Sequence, residues 1–400
     1  MPSTSPRDDA AAPGHDPAHA PFPEYAALRA RGPVHRVVVP GSGPSWLVVS
    51  RDAARRALAD PRLSNDIRHS ATWTDDGGHA LGRNMLQSDA PHHTRLRKLV
   101  AGHFTAGRIR SLRPRIEALA DGLLRDLPDE GVVDAVERYA LPLPVAVICE
   151  LLGVPQDARD AFHAWSRELV LPTSEEAAAA AGAHLTGLIG ELVDRKTAAP
   201  DGTLLSELAA AGRDGVLSAD ELLGMVFLLL VAGHETTVNL ISAALFSLLA
   251  EPGLAARVRA DPSLTAAVVE ESLRFHAPVH SSAFRFAAEP LELAGASIAA
   301  GDAVLVGLAA ASRDPGHYAD ADRFDLRRSG PAHLAFGHGP HHCLGAPLAR
   351  VEAEVALRCF LTRFPTVAFA TDPATLTWRG STLLRGLTDL PLRLGRRGGG

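Results

Sequence analysis

Apolar residues recur every three to four positions through most of this chain, the period of helices with one face turned to a core. The pattern predicts helices over residues 51–60, 89–100, 114–127, 142–152, 157–171, 177–196, 218–250, 262–275 and 344–364. Asp89 is the expected cap of the second, and Pro61 stops the first. Ser218-Ala219-Asp220-Glu221 is a capping-box sequence and opens the longest. Strand-like runs at 34–39 and 46–50 flank the turn Pro40-Gly41-Ser42-Gly43-Pro44. Short strands are expected at 291–294 and 303–308, and 378–394 reads as terminal β-structure. Residues 63–88 have no clear period, and a loop that long inside a compact protein is more often functional than idle. Residues 1–21, rich in Pro, Ala, Ser, Asp and Gly, read as a disordered tail. Residues 22–400 then read as one domain, mainly α with minor β.

Composition narrows the class. Of the 400 residues 46% are hydrophobic, enough for a large core, and a net charge of −6 gives no global field for nucleic acid. Cys149, Cys343 and Cys359 are too few for a disulfide framework and fit a reducing cytoplasm. No cationic-then-apolar leader opens the sequence. The longest apolar run, 225–233, falls short of the about 20 residues of a membrane span. A cytoplasmic protein with no membrane segment is expected. Among 40 basic residues only Lys98 and Lys196 are lysines, a usage that points to a GC-rich bacterial source.

The stretch Phe336-Gly337-His338-Gly339-Pro340-His341-His342-Cys343-Leu344-Gly345 carries the clearest chemistry. Cys343 stands between a glycine-rich loop and a predicted helix start, where unpaired backbone N–H groups stabilise a thiolate. Gly337, Gly339 and Gly345 let backbone approach a flat, bulky ligand, and Phe336 is placed to shield the sulfur. From the residues alone, a buried structural cysteine or a zinc site with His338, His341 and His342 also remains open.

F-G-x-G-x-H-x-C-x-G resembles the haem-ligand loop of the cytochromes P450, with every fixed position matched. Ala232-Gly233-His234-Glu235-Thr236 is similar to that family's A-G-x-[D/E]-T segment. The resemblance spans nearly the whole chain from about Phe22. It implies the single-domain P450 fold, with haem b (iron protoporphyrin IX) held by Cys343. Phe336, Gly337, Gly345 and Ala232 would line that haem. Thr236 would hydrogen-bond the oxygen being activated, and Glu235 would relay protons. His93 and Arg97, matching H-x-x-x-R, together with Arg285 and His341, would bind the haem propionates, with His333 a weaker candidate. Glu271 and Arg274 match the structural E-x-x-R pair, locked to the segment of Arg323-Phe324. Glu270 also lies one turn from Arg274, so spacing alone does not choose between the acids. Ser312, where the family often has Asn, and Ala321-Asp322, in place of Pro-Glu, depart from the pattern in packing segments.

The resemblance further implies a monooxygenase that hydroxylates or epoxidises a small hydrophobic molecule. The branch it looks most like tailors macrolides and polyketides in actinomycetes, so antibiotic biosynthesis is the expected setting. The chain has no dinucleotide fingerprint and no spare length for a flavin domain. Electrons are therefore expected from a ferredoxin and ferredoxin reductase, and the protein is expected to be a monomer. Between Asp89 and Glu117 lie no acids but seven bases, Arg95, Arg97, Lys98, Arg108, Arg110, Arg113 and Arg115. Part of this patch is a candidate ferredoxin dock, against a plain solvated or haem-anchoring role. Met85, Leu86, Leu229, Val279 and Leu383 are candidate substrate-pocket walls, or ordinary core. Two other readings stay open: a peroxide-driven or aryl-coupling P450, and a haem-thiolate sensor without turnover. The presence of Glu235 and Thr236 speaks against the second.

Overall fold

The computed structural model describes residues 10–11, 13, 21–40, 42–74, 79–155, 158–170 and 173–395. The chain divides into two contact units, each assembled from three separate stretches. The fold is mainly helical with minor sheet.

The first unit comprises residues 1–74, 270–343 and 377–388. Its frame is a six-stranded sheet in the order Ala10–Ala11, Val34–Val39, Gly43–Val48, Ala303–Val306, Arg285–Ala287, Leu63–Ser64. Side chains alternate faces along a strand, and this sheet uses both. Val37, Val39, Leu47 and Leu305 join Tyr25 in one buried cluster. Val48, Val304 and Val306 join Ala53, Ala57 and Leu58 of helix Arg51–Ala59 in another. Ser50 caps that helix by accepting the Ala53 N–H. The predicted hairpin is present in antiparallel register, Val34 opposite Val48, with Gly41 of its turn outside the described residues. Of the expected tail, Ala10–Ala11 pairs parallel with Val37 and Val38, and Pro13 is buried. Residues 1–9, 12 and 14–20 of that tail lie outside the described residues.

The second unit, residues 75–269, 344–376 and 389–400, is helical apart from a three-stranded sheet of Ala368–Phe369, Pro391–Leu394 and Gly131–Asp134. At its centre runs Ala219–Ala250, opened by the expected capping box of Ser218 and Glu221. This helix is long and apolar enough to cross a membrane, unlike the shorter run visible in sequence. It buries His234, Glu235, Thr237, Asn239 and Ser242, and it packs against Pro142–Leu152, Glu175–Ala198, Leu204–Arg213 and Ala346–Arg363. That is the setting of a core helix with a buried polar segment.

Several expectations need correction. Helix Ala106–Arg125 starts eight residues before Pro114, which lies inside it; Thr105 caps the start. An interior proline costs about 3 kcal/mol, and here a buried face of Ile109, Ile116, Ala120 and Leu124 offsets it. The next helix back, His92–Ala101, has Pro91 rather than Asp89 at its N-cap position, and the Asp89 carbonyl accepts the His93 N–H. Leu204–Arg213 and Leu254–Ala260 are helices that the periodicity does not isolate. The last long helix begins at Ala346 rather than 344. Asp157 and Leu171, the predicted ends of one helix, lie outside the described residues, and Arg159–Val170 is helical.

Candidate active site

In the first unit the loop of residues 336–343 is folded on itself by backbone hydrogen bonds. The Cys343 N–H donates to the Phe336 carbonyl at 2.9 Å, the Gly337 N–H to Leu334 and the His342 N–H to Gly339. Gly337 and Gly339 adopt φ of 73° and 75°, a region costly for any residue with a Cβ. At Gly339 the close approach is also steric, because a Cβ would lie 2.9 Å from the Leu58 carbonyl oxygen. The loop is thus pressed onto the end of helix Arg51–Ala59. It is braced from behind as well: Arg51 donates to the Ala332 carbonyl at 2.7 Å, and Ser312 Oγ accepts the Leu334 N–H at 3.3 Å. The departure at Ser312 therefore still ties two segments together.

The E-x-x-R pair is present as that motif implies. Arg274 donates to both carboxylate oxygens of Glu271, at 2.8 and 2.7 Å, and to the carbonyls of Ser312, Ala321 and Arg323. Glu271 also accepts from Arg328 and from the Asp325 N–H. Glu270 is distinguished from it, lying 3.3 Å from His333 Nε2.

Cys343 is exposed, whereas Cys149 is buried and Cys359 half-buried, and desolvation raises the thiol pKa values of those two. An exposed cysteine on a glycine-framed loop fits a sulfur that ligates a bound group. Among the described residues no cluster of three or more His, Cys, Asp or Glu could hold a metal ion. The donor set thus fits a metal whose other ligands come from a macrocycle, and gives the zinc alternative no support. His341 stands half-buried in the turn Gly339–His341. Arg285 is buried on its strand, donating to the Leu63 carbonyl at 3.2 Å. Val279 is half-buried and pairs across a bridge with Leu384, while Leu383 is 39% exposed.

In the second unit the segment 232–237 interrupts the burial of the long helix. Ala232 is exposed, Thr236 half-buried and Glu235 buried. Thr236 Oγ1 donates back to the Ala232 carbonyl at 3.3 Å. A Cβ on Gly233 would meet Ile148 Cδ1 at 2.9 Å, so packing as well as chemistry asks for glycine there. Leu229 is buried one turn earlier. Met85 and Leu86 are half-buried in a turn whose Asn84 side chain accepts the Leu86 N–H. His93 is buried and Arg97 half-buried, one turn apart on His92–Ala101. Gly345 is the N-cap of Ala346–Arg363. The basic patch is partly neutralised. Arg95 pairs with Glu221, Arg113 with Glu354 and Arg115 with Glu150, whereas Arg108 and Arg110 are exposed with no acid paired to them among the described residues.

A glycine-framed loop with an exposed cysteine, a buried Glu–Arg brace and a long helix carrying an alanine, glycine, acid and threonine segment are the features of a haem-thiolate oxygenase. The chain belongs to the cytochrome P450 family. That family's profile matches residues 191–375. The chain is 49% identical to the cytochrome P450 monooxygenase PikC of Streptomyces venezuelae over 98% of its own length and 94% of the relative. It is 43% identical to the 6-deoxyerythronolide B hydroxylase of Saccharopolyspora erythraea, covering 92% of this chain and 95% of that one. The structure of the tirandamycin C-bound P450 monooxygenase TamI superposes with a TM-score of 0.89 at 43% identity, covering 94% and 98% of the two chains. The protein is a haem-dependent monooxygenase that takes a small molecule and O2 and draws on redox partners.

Proposed function

We propose that this enzyme hydroxylates or epoxidises a hydrophobic secondary metabolite of macrolide or polyketide type in the bacterial cytoplasm, as a monomer reduced by a ferredoxin system. The observation that carries the reading is Cys343, exposed on a loop that two left-handed glycines and the Leu58 carbonyl constrain. In the first unit Cys343 Sγ would ligate the iron of haem b, with Phe336 and Gly337 beside it and Arg285 and His341 assigned to its propionates. In the second unit Gly345 and Ala232 would be haem-lining residues, and His93 and Arg97 propionate partners. When bound, the haem supplies O2 activation, one oxygen atom going to the substrate and the other to water.

The chain's own residues supply protons and orientation. The Thr236 hydroxyl, which donates to the Ala232 carbonyl, would supply a hydrogen bond to the oxygen being activated, and the Glu235 carboxylate would hold and pass on the proton. Met85, Leu86 and Leu229 of the second unit, and Val279 and Leu383 of the first, are apolar and would serve as substrate-contacting residues. A low-to-high shift of the haem spin state on titration with candidate metabolites tests the substrate class. Thr236→Ala or Glu235→Gln should slow product formation about 100-fold or more, the usual worth of a positioned proton donor, while leaving the spin shift intact. Unchanged turnover in both variants removes the relay; equal turnover with hydrogen peroxide and with ferredoxin favours the peroxide-driven reading.

The partner reading is supported by Arg108 and Arg110, two exposed bases of the patch with no acid paired to them among the described residues. Arg108→Glu with Arg110→Glu should slow reduction by ferredoxin at low salt, and less so as added salt screens the wild type. Identical reduction rates at every ionic strength would place the dock elsewhere.

A further inference from the structure

The oxygen-activating turn has a back side, and a polar residue anchors it. His234 is fully buried, immediately before Glu235 and two residues before Thr236. Its Nδ1 lies 2.9 Å from the Leu230 carbonyl. A carbonyl only accepts, so Nδ1 carries the proton. Its Nε2 lies 3.1 Å from Ser166 Oγ on helix Arg159–Val170, and Phe162 of that helix meets the imidazole edge-on at 5.3 Å. Burial holds the His234 pKa down to about 4, so the neutral ring prevails and Nε2 accepts from the Ser166 hydroxyl. That hydroxyl also lies 3.1 Å from the His163 carbonyl, so a single proton serves two acceptors.

Helical geometry makes this contact matter. Successive residues turn by about 100°, which sets His234 about 160° around the helix from both Ala232 and Thr236. Between Ala232 and His234 stands Gly233, which has no Cβ; one built there would lie 2.9 Å from Ile148 Cδ1. Thr236 spends its hydroxyl on Ala232 within the same turn. Glu235 Oε1 lies 3.8 Å from His234 Nε2. The turn therefore carries a residue without a side chain, the two side chains of the relay reading and one buried, doubly hydrogen-bonded imidazole.

We propose that His234 is a positioning residue, clamped between Leu230 and Ser166, that fixes the rotation of the 232–237 turn and hence where Glu235 and Thr236 stand. It rests on the relay reading of those two residues. Sequence alone shows His234 only as the variable position of its motif, and Ser166 as one serine among many.

The test uses the haem-loaded, substrate-bound enzyme. His234→Phe keeps a ring against Phe162 and removes both hydrogen bonds; Ser166→Ala, a milder change, removes the far one. In both, amide hydrogen exchange at residues 235–238 should quicken about five- to ten-fold, as one lost hydrogen bond allows. The share of electrons released as hydrogen peroxide should at least double, with the substrate spin-shift titration unmoved. His234→Gln, which returns a polar atom to the tether, should recover most of both. Unchanged exchange and unchanged peroxide release in His234→Phe and Ser166→Ala would overturn the clamp. Glu235→Gln and Thr236→Ala separate the two claims: if neither raises peroxide release, the relay reading fails, and the exchange rates alone decide the clamp.

Discussion

Cys343→Ala should leave a folded protein that no longer shows, when reduced and exposed to carbon monoxide, the absorbance band of a thiolate-ligated haem. Oxygenation should fall to background. The physical case rests on what the side chain does not do. The loop is closed by main-chain bonds, the Cys343 N–H to Phe336, the Gly337 N–H to Leu334 and the His342 N–H to Gly339, and alanine keeps them all. Its bracing comes from Arg51 and Ser312, also untouched. Cys343 is exposed, so truncation opens no core cavity of the sort that destabilises proteins by several kcal/mol. What disappears is one polarisable donor atom and its push of electron density towards oxygen cleavage.

Cys343→Ser separates ligation from mere bulk. The hydroxyl is nearly isosteric with the thiol but does not ionise near neutral pH, so any haem retained in this variant would lack the thiolate signature. Persistence of that signature in either variant would mean that the sulfur ligand is another residue. Cys149 and Cys359 are the sole alternatives, and burial pushes their thiols up to about 12 and about 11, away from the thiolate form.

The parts of this protein legible in sequence are those whose determinants are neighbours in the chain. The hairpin is visible because 34–39 and 46–50 flank a turn, and the long helix because Ser218 and Glu221 lie three residues apart. The ligand loop and the Ala232–Thr236 segment are legible for the same reason, each being contiguous. Helix Ala106–Arg125 is not, because Pro114 reads as a start, whereas buried contacts made elsewhere in the unit offset its cost. Leu204–Arg213 is ten residues long and hemmed by glycines at 202, 212 and 215, which read locally as loop. The charge patch misleads because its acids, Glu150, Glu221 and Glu354, lie far from it in the chain. Tertiary pairs such as Arg51 with Ala332, or His234 with Ser166, join common residue types across 281 and 68 positions, and no local pattern announces them.

The largest effect on stability should come from the Glu271–Arg274 brace. Arg274 has five N–H donors and makes five hydrogen bonds, two to Glu271 and one each to Ser312, Ala321 and Arg323. Both residues are about 95% buried or more. Arg274→Ala leaves the buried Glu271 carboxylate with only Arg328 and the Asp325 N–H, and Glu271→Ala leaves a buried guanidinium with carbonyls but no counter-charge; either should cost about 3–5 kcal/mol. Arg274→Lys should rescue little, because a point-like ammonium with three donors cannot span three carbonyls and a carboxylate. The exposed pair Arg213–Asp214 serves as the control, and Arg213→Ala should lower the unfolding free energy by under about 1 kcal/mol. The brace holds the strand of chain that leads into the ligand loop, through Ser312, whose hydroxyl takes the Leu334 N–H. In denaturant titrations of Glu271→Gln, the thiolate–carbon monoxide band should therefore vanish before the helical circular dichroism does. Coincident loss of the two signals would make the pair a stabiliser of the whole molecule with no special hold on the haem loop, and an unchanged midpoint would deny it a structural role altogether.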